Sequence, residues 1–246
     1  VRFNENYGMK LLYGEAFRNP VAAETKLNIP GISGNPDLKP ETIQTTDLQL
    51  FYNSDYASFA LTGYMSSSQD RISIALDPDA PPNLTFLNSS GEYNYRGIEF
   101  EGKYRLNKNW DFIGSASYQY GEQDGAGVDN DTSLSPRLML KMGATYTNLN
   151  GFEFGVFNQY MDDVLKYVTK TDVRPETRVE SWNYLTANMN IKLNDVLPLP
   201  NNVPDTTFSL YAENLLDEEI YLPVSSGAPT QGYSGRAVFG RISMKF

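Results

Sequence analysis

The sequence has no cysteine and no histidine among its 246 residues. Without cysteine there is no disulfide framework, no thiolate metal site and no cysteine nucleophile. Without histidine the chain loses the commonest general base, the commonest transition-metal ligand and every Ser-His or Asp-His catalytic device. No run of about 18 apolar residues occurs, so no α-helix crosses a bilayer. Strand crossings stay open, because a transmembrane β-strand needs only roughly 9–11 residues with every second one apolar. Bases are scarce too: 20 Lys and Arg face 30 Asp and Glu, a formal charge of −10. Nucleic-acid binding requires a basic footprint, so no nucleic-acid partner is expected. No leader segment opens the chain: Val1–Asn6 reads as a strand end and a tight turn, as in a piece cut from a longer chain.

What is present points to an all-β protein. Tyr (17), Phe (13) and Gly (19) far outnumber Trp (2), and period-two alternation recurs ten times. It is explicit after Tyr93, where Ile98, Phe100, Gly102 and Tyr104 alternate with Glu99, Glu101, Lys103 and Arg105. The same pattern sets Met9, Leu11, Tyr13 and Phe17 on one face of a first strand, and Leu48, Leu50 and Tyr52 on a second. Phe59, Leu61 and Met65 follow, then Phe112, Ala116, Tyr118 and Tyr120. Leu140, Met142 and Ala144 mark a sixth strand, and Phe152, Phe154 and Val156 a seventh. Ala187, Met189 and Ile191, then Phe208, Leu210 and Ala212, then Val238, Ile242, Met244 and Phe246 complete the ten.

Between these strands short and long connections alternate without a break. Asn4-Glu5-Asn6, Asn53-Ser54-Asp55, Asn107-Lys108-Asn109 and Asn148–Gly151 are tight, and Asn194–Thr206 falls in the same class by order. Arg18–Glu41, Ser67–Glu92, Gly121–Ser135, Asp162–Ser181 and Asn214–Arg236 are long. An antiparallel up-and-down sheet with all tight turns at one end has this layout, as transmembrane β-barrels do. A soluble β-sandwich with one solvated face also alternates. Two features favour lipid. Aromatics such as Trp110 and Tyr120 stand at the ends of apolar faces, as interfacial girdles do. No charge interrupts the middle of the apolar face in the fourth, fifth, sixth or eighth strand, where Lys or Arg would cost about 2–4 kcal/mol.

One stretch organises the rest: Asn35-Pro36-Asp37-Leu38-Lys39-Pro40-Glu41-Thr42. Two prolines fix φ, remove two donors and end a sheet ladder before a new strand begins. The octet resembles the NPxLKPE motif of TonB-dependent receptors of the bacterial outer membrane. Three further stretches resemble that family, in its order. Phe17-Arg18-Asn19-Pro20 is similar to its FRxP, with Phe17, Arg18 and Pro20 matching. Tyr95–Glu101, with Gly97 and Glu99, is similar to its YxGxE strand. Asn214-Leu215-Leu216-Asp217 with Tyr221 is similar to its NLxDxxY segment. The terminal Phe246 after alternating apolar residues resembles the signal read by the barrel-assembly machinery. Physically these motifs read as architecture: Asn214 and Asp217 shape the exit from a strand, and Gly97 among bulky neighbours marks a bend or close approach.

The resemblance implies a transmembrane β-barrel of which about ten strands are present here, within a 22-stranded whole. Residues 1–246 then form its C-terminal portion, and neither the family's plug nor its TonB box is in this chain. It implies TonB-driven uptake of a scarce nutrient, most often a ferric siderophore, with haem, cobalamin or a glycan as alternatives. The implied partners are outer-membrane lipid, the ligand, the TonB complex through the N-terminal part and the assembly machinery through the last strand. No cofactor is implied and no enzyme is expected. Ligand contacts are expected on loops and upper lumen faces: Tyr93, Tyr95 and Arg96, then Tyr167, Arg174 and Arg178, then Tyr221 and Tyr233. Tyr and Arg stack on and pair with an anionic, aromatic iron chelate. Asp124, Asp129, Asn130 and Asp131 form an acidic loop cluster with oxygen ligands but without the EF-hand spacing. A stand-alone ten-stranded barrel acting as passive pore or adhesin is the competing reading.

Overall fold

The computed structural model describes residues 1–123, 135–148, 150–165, 178–200, 202–222 and 230–245. Ten long strands form one sheet: β1 (Tyr7–Arg18), β2 (Glu41–Asn53), β3 (Ala57–Gln69), β4 (Tyr93–Arg105), β5 (Trp110–Gln123), β6 (Leu138–Thr147), β7 (Phe152–Met161), β8 (Trp182–Lys192), β9 (Asp205–Glu213) and β10 (Ala237–Lys245). They are ordered β1 to β10 as in the sequence, each antiparallel to its neighbours. The sheet is open, with β1 and β10 as its edges.

The tight turns close on their own side chains. Asn4 Oδ1 accepts the N–H groups of Asn6 and Tyr7, both at 2.8 Å. Asn107 Oδ1 accepts from Asn109 at 2.9 Å and Trp110 at 3.1 Å. Asn148 Oδ1 accepts from Asn150 at 2.9 Å and Phe152 at 3.1 Å. In each case a side-chain oxygen stands in for a backbone acceptor and fixes the reversal. The last turn of the set differs: a short helix, Leu193–Val196, begins it. Asn194 holds that turn to β9 by accepting the Thr206 N–H at 2.7 Å.

Register carries one parity across the whole sheet. Met9, Leu50, Leu61, Phe100, Ala116 and Leu140 stand in one cross-strand row. Lys10, Gln49, Thr62, Glu99 and Ser117 stand in the row on the other face. The apolar face is uncovered. Leu11 is 68% exposed, Met65 67%, Met142 59% and Ile242 63%. A soluble sandwich would bury these side chains against a second sheet. Here the face is left open, and a row of aromatic rings runs along its tight-turn end. Tyr7 and Tyr52 lie 4.8 Å apart, Tyr52 and Phe59 6.2 Å, Trp110 and Tyr146 5.0 Å, and Tyr146 and Phe152 6.2 Å.

The long connections are more structured than the sequence indicates. A four-stranded sheet unites the first two: Asn28–Ile29, Ile32–Ser33, Leu84–Asn88 and Ile72–Leu76, in that order. Ile32–Ser33 and Leu84–Thr85 pair in parallel although about fifty positions separate them. A five-residue helix, Ala22–Lys26, precedes it. Two-stranded pairs also fold the fourth loop (Val164–Leu165 with Arg178–Val179) and the fifth (Tyr221–Leu222 with Thr230–Gln231). These two loops share the main buried apolar cluster: Met161, Val164, Val179, Trp182 and Ile220, with Met139, Tyr184, Leu222 and Tyr233 against it.

Candidate ligand-binding face

Polar parity and sheet curvature together make the site. Side chains from seven consecutive strands, Ser58 on β3 to Tyr211 on β9, line one trough of about 950 Å³ on the polar face. Glu101, Lys103 and Lys141 supply charge of both signs there, and Ser115, Gln159 and Thr186 neutral donors and acceptors. The polar face thus presents a trough, as a barrel lumen does, and the apolar face lies on the other side of the sheet.

Glycines let aromatic rings lie flat against this face. Tyr64 stands opposite Gly97, and a Cβ there would lie 2.6 Å from the Tyr64 ring and hydroxyl. Tyr95 lies in the same way across Gly121, where a Cβ would meet its ring carbons at 2.7 Å. Phe157 covers Gly143 and Phe51 covers Gly8. Ring over glycine supplies the cross-strand contact that the glycine lacks. At the loop end of the polar face, away from the trough, the Arg71 guanidinium sits 4.3 Å above the Tyr93 ring. Tyr93 and Tyr95 share the polar face of β4, about 7 Å apart by strand rise.

The family model described as TonB dependent receptor-like, beta-barrel, matches residues 1–215. The chain belongs to that family. It is thereby an outer-membrane β-barrel protein of Gram-negative bacteria. No curated protein matches the sequence. Among solved structures the fold is similar to the pyoverdine outer membrane receptor FpvA from Pseudomonas aeruginosa PAO1, at TM-score 0.76 and 14% identity over 99% of this chain and 34% of that one. It is similar to the ferric-catecholate import receptor Fiu from E. coli K12, at TM-score 0.72 and 17% identity over 98% and 33%. The copper transporter OprC matches at TM-score 0.69 and 17% identity over 100% and 38%. The chain thus spans about a third of the length of these relatives.

The motifs of the TonB-dependent receptor knot the loops to the strand ends. Arg18 donates from Nε to Glu41 at 2.7 Å, and from both terminal nitrogens to Glu24 at 3.0 Å. Glu41 also accepts the Ile72 N–H at 2.6 Å. Arg18 and Glu41, far apart in sequence, are therefore one joint between two loops. Asn35 Nδ2 donates to the Phe86 carbonyl at 3.0 Å, and Asn88 Oδ1 accepts the Lys39 N–H at 2.8 Å. Asn214 is fully buried: its amide donates to the carbonyls of Glu218 (2.9 Å) and Ser234 (3.1 Å) and accepts the Glu218 N–H at 3.1 Å. Asn214 and Asp217 have φ of +46° and +59°, a conformation that Asn and Asp tolerate. Asp217 accepts the Arg236 N–H at 2.8 Å, and Leu215 donates its N–H to the Leu185 carbonyl at 2.9 Å.

The Arg18 joint is sensitive to acid. The guanidinium, helped by the Val21 N–H, holds the Glu24 carboxyl below its ordinary value of 4.5. A depressed carboxyl stabilises the fold at pH above its unfolded value and loses that contribution as pH falls through the folded one. Protection of the Val21 amide in hydrogen exchange is therefore expected to persist at pH 7 and to fade below about pH 4.5. Arg18→Gln should lessen the pH dependence, leaving the part that the Val21 N–H supplies. Equal protection at pH 7 and pH 3 in the unsubstituted protein would sink this account.

The expected ligand residues divide between places. Tyr93 and Tyr95 come together on the polar face of β4, at its loop end and beyond the trough. Arg96 projects from the opposite, apolar face, where its guanidinium lies 5.3 Å from the Tyr120 ring. Tyr233 packs between Trp182 (5.9 Å) and Tyr184 (4.6 Å) in the loop cluster. Tyr221 is 41% exposed in the fifth loop, opposite Gln231. Tyr167 and Arg174 lie outside the described residues, as do the side chain of Arg178, the acidic cluster Asp124, Asp129, Asn130 and Asp131, and Phe246. Among the described residues no three acidic side chains stand together as a metal site. Sequence reasoning missed Arg71, which only the folding of the second loop carries to Tyr93. It also grouped Arg96 with Tyr95, although parity alone sets Arg96 with Ile98 and Phe100.

Proposed function

We propose that residues 1–246 are the C-terminal portion of a 22-stranded receptor that takes up a scarce nutrient in a TonB-driven step, and that the cargo is a ferric siderophore. Family membership supports the transport class. The Arg71–Tyr93–Tyr95 corner carries the choice of cargo: a cation held over one ring, with a second ring beside it on the lumen face. An anionic iron chelate with aromatic ligand rings stacks on such rings and pairs with the guanidinium. The TonB complex acts through the N-terminal part of the whole receptor, and the barrel-assembly machinery reads the last strand. A stand-alone ten-stranded pore or adhesin requires a closed barrel, whereas the ten strands form an open sheet.

The test is a fluorescence titration of the natural gene product, purified from outer membranes, with a ferric catecholate, a ferric hydroxamate and ferric citrate. One chelate is expected to quench Tyr and Trp emission at sub-micromolar concentration. Arg71→Gln and Tyr93→Ala should each weaken that binding about tenfold, the scale of a desolvated cation–π or charge-assisted contact. Quenching by none of the three, together with steady single-channel conductance, would replace the receptor with a passive pore.

A further inference from the structure

The backbone that carries Arg71 is held from several sides. Glu41 Oε1 accepts the Ile72 N–H at 2.6 Å. The Arg71 carbonyl accepts the Ser89 N–H at 2.7 Å. The Asp70 carbonyl accepts from Asn88 Nδ2 at 2.7 Å. Asp70 itself has φ of +52°, a left-handed conformation that Asp tolerates, and it turns the chain just after β3 ends at Gln69. Three consecutive residues thus each have a backbone group fixed by a different partner. The Arg71 side chain they carry is exposed, pairs with no carboxylate among the described residues, and lies over the Tyr93 ring at 4.3 Å.

These partners are in turn tied to strand ends. Glu41 opens β2 and is the cross-strand partner of Arg18, the last residue of β1. Arg18 Nε donates to Glu41 Oε2 at 2.7 Å, so one carboxylate oxygen faces the strand pair and the other the base of Arg71. Asn88 bridges by a second route. Its amide accepts the Lys39 N–H at 2.8 Å and donates to the Lys39 carbonyl at 3.0 Å. Lys39 and Glu41 both belong to the octet Asn35–Thr42. One motif therefore grips Asp70–Ile72 twice, directly through Glu41 and indirectly through Asn88. A long, exposed side chain that its ligand must order costs affinity, and holding it in place beforehand removes that cost. Support from strand ends gives such a site a more precise geometry than a free loop does.

We propose that Glu41, backed by Arg18, and Asn88 are positioning residues for Arg71: they clamp residues 70–72 so that the guanidinium stands over Tyr93 before an anionic ligand arrives. The ligand part rests on the reading of the Arg71–Tyr93–Tyr95 corner as the cargo contact, whereas the clamp itself does not. The octet then serves binding as well as architecture, and it reaches the ligand only through Arg71. Once Arg71 is removed, loosening the clamp has nothing left to change in the affinity.

The experiment uses the natural gene product, purified from outer membranes, as Glu41→Ala, Glu41→Gln, Asn88→Ala, Arg71→Gln and the double variant Glu41→Ala with Arg71→Gln. Heat-modifiable electrophoretic mobility checks that each folds. Hydroxyl-radical footprinting reads the exposure of Tyr93 with no ligand present. Oxidation of Tyr93 in Glu41→Ala is expected to rise to the level of Arg71→Gln, because either change uncovers the ring face. Glu41→Gln, whose amide oxygen still accepts the Ile72 N–H, should stay nearer the unsubstituted protein. Quenching titrations with a ferric catecholate, a ferric hydroxamate and ferric citrate then read binding. For the chelate that binds, Glu41→Ala should weaken affinity by up to about tenfold, as Arg71→Gln does, and the double variant no further. Unchanged Tyr93 oxidation in folded Glu41→Ala and Asn88→Ala overturns the proposal. So do additive losses in the double variant, which would make Glu41 a structural residue only. If Glu41→Ala does not fold, Asn88→Ala and its double variant with Arg71→Gln decide by the same two readings. Binding of none of the three chelates to the unsubstituted protein would remove the cargo reading, and the Tyr93 footprint would still decide the clamp.

Discussion

Arginine in place of Met142 is expected to destabilise the folded barrel by about 2–4 kcal/mol, the cost of a basic side chain at the lipid midplane. Met142 is the central outward residue of β6, with Leu138 and Leu140 on one side and Ala144 and Tyr146 on the other, and it is 59% exposed. Its neighbour Lys141 carries a charge one position away without this cost, because it faces the trough. Ser115→Arg, on the trough between its cross-strand partners Glu101 and Lys141, is the control on the other face and should change stability by no more than about 0.5 kcal/mol, the attraction to one partner offsetting the repulsion by the other. Urea unfolding of the natural gene product in lipid vesicles measures both. Equal costs for the two substitutions would mean that the exterior does not meet lipid.

Valine in place of Gly97 is expected to cost about 1–3 kcal/mol by overpacking, and the source of the clash can be separated. A Cβ at Gly97 would lie 2.6 Å from the Tyr64 ring and hydroxyl, but also 2.7 Å from the Tyr118 carbonyl oxygen. The ring can swing away, whereas a backbone carbonyl within the sheet cannot. Adding Tyr64→Ala should therefore recover only part of the loss. At Gly121 the three nearest atoms to a Cβ are all Tyr95 ring carbons. There Gly121→Ala should be largely relieved by Tyr95→Ala. The same unfolding titration reads both pairs, and full recovery in the Gly97 pair would show that Tyr64 alone demands the glycine. This assigns the family's strand glycine to the close passage of a ring from β3 and a carbonyl from β5.

Much of this protein is legible in its sequence because strands encode their faces locally. Alternation placed Ile98 and Phe100 opposite Glu99 and Glu101, and the same two faces appear in the sheet. The asparagine-rich turns announced themselves for a similar reason, since an Asn oxygen reaches N–H groups only two to four positions away. The motifs were legible as positions but not as contacts. Arg18 and Glu41 each resemble a known motif residue and are cross-strand partners, yet the Glu24 arm of their ion pair depends on how the first loop folds back.

By itself the sequence determined the strand order, the apolar and polar faces, the resemblance to the family, and the end of the sheet that carries the long loops. The tertiary structure decided what lies across a gap in the chain: the parallel pairing of Ile32–Ser33 with Leu84–Thr85, Arg71 on Tyr93, and the apolar cluster that joins the last two long loops. It also showed Arg96 and Arg137 sharing one ring on the exterior. Period-two patterning reports a residue's own face, whereas loop pairing depends on hydrogen bonds and packing between segments whose separation no local pattern records.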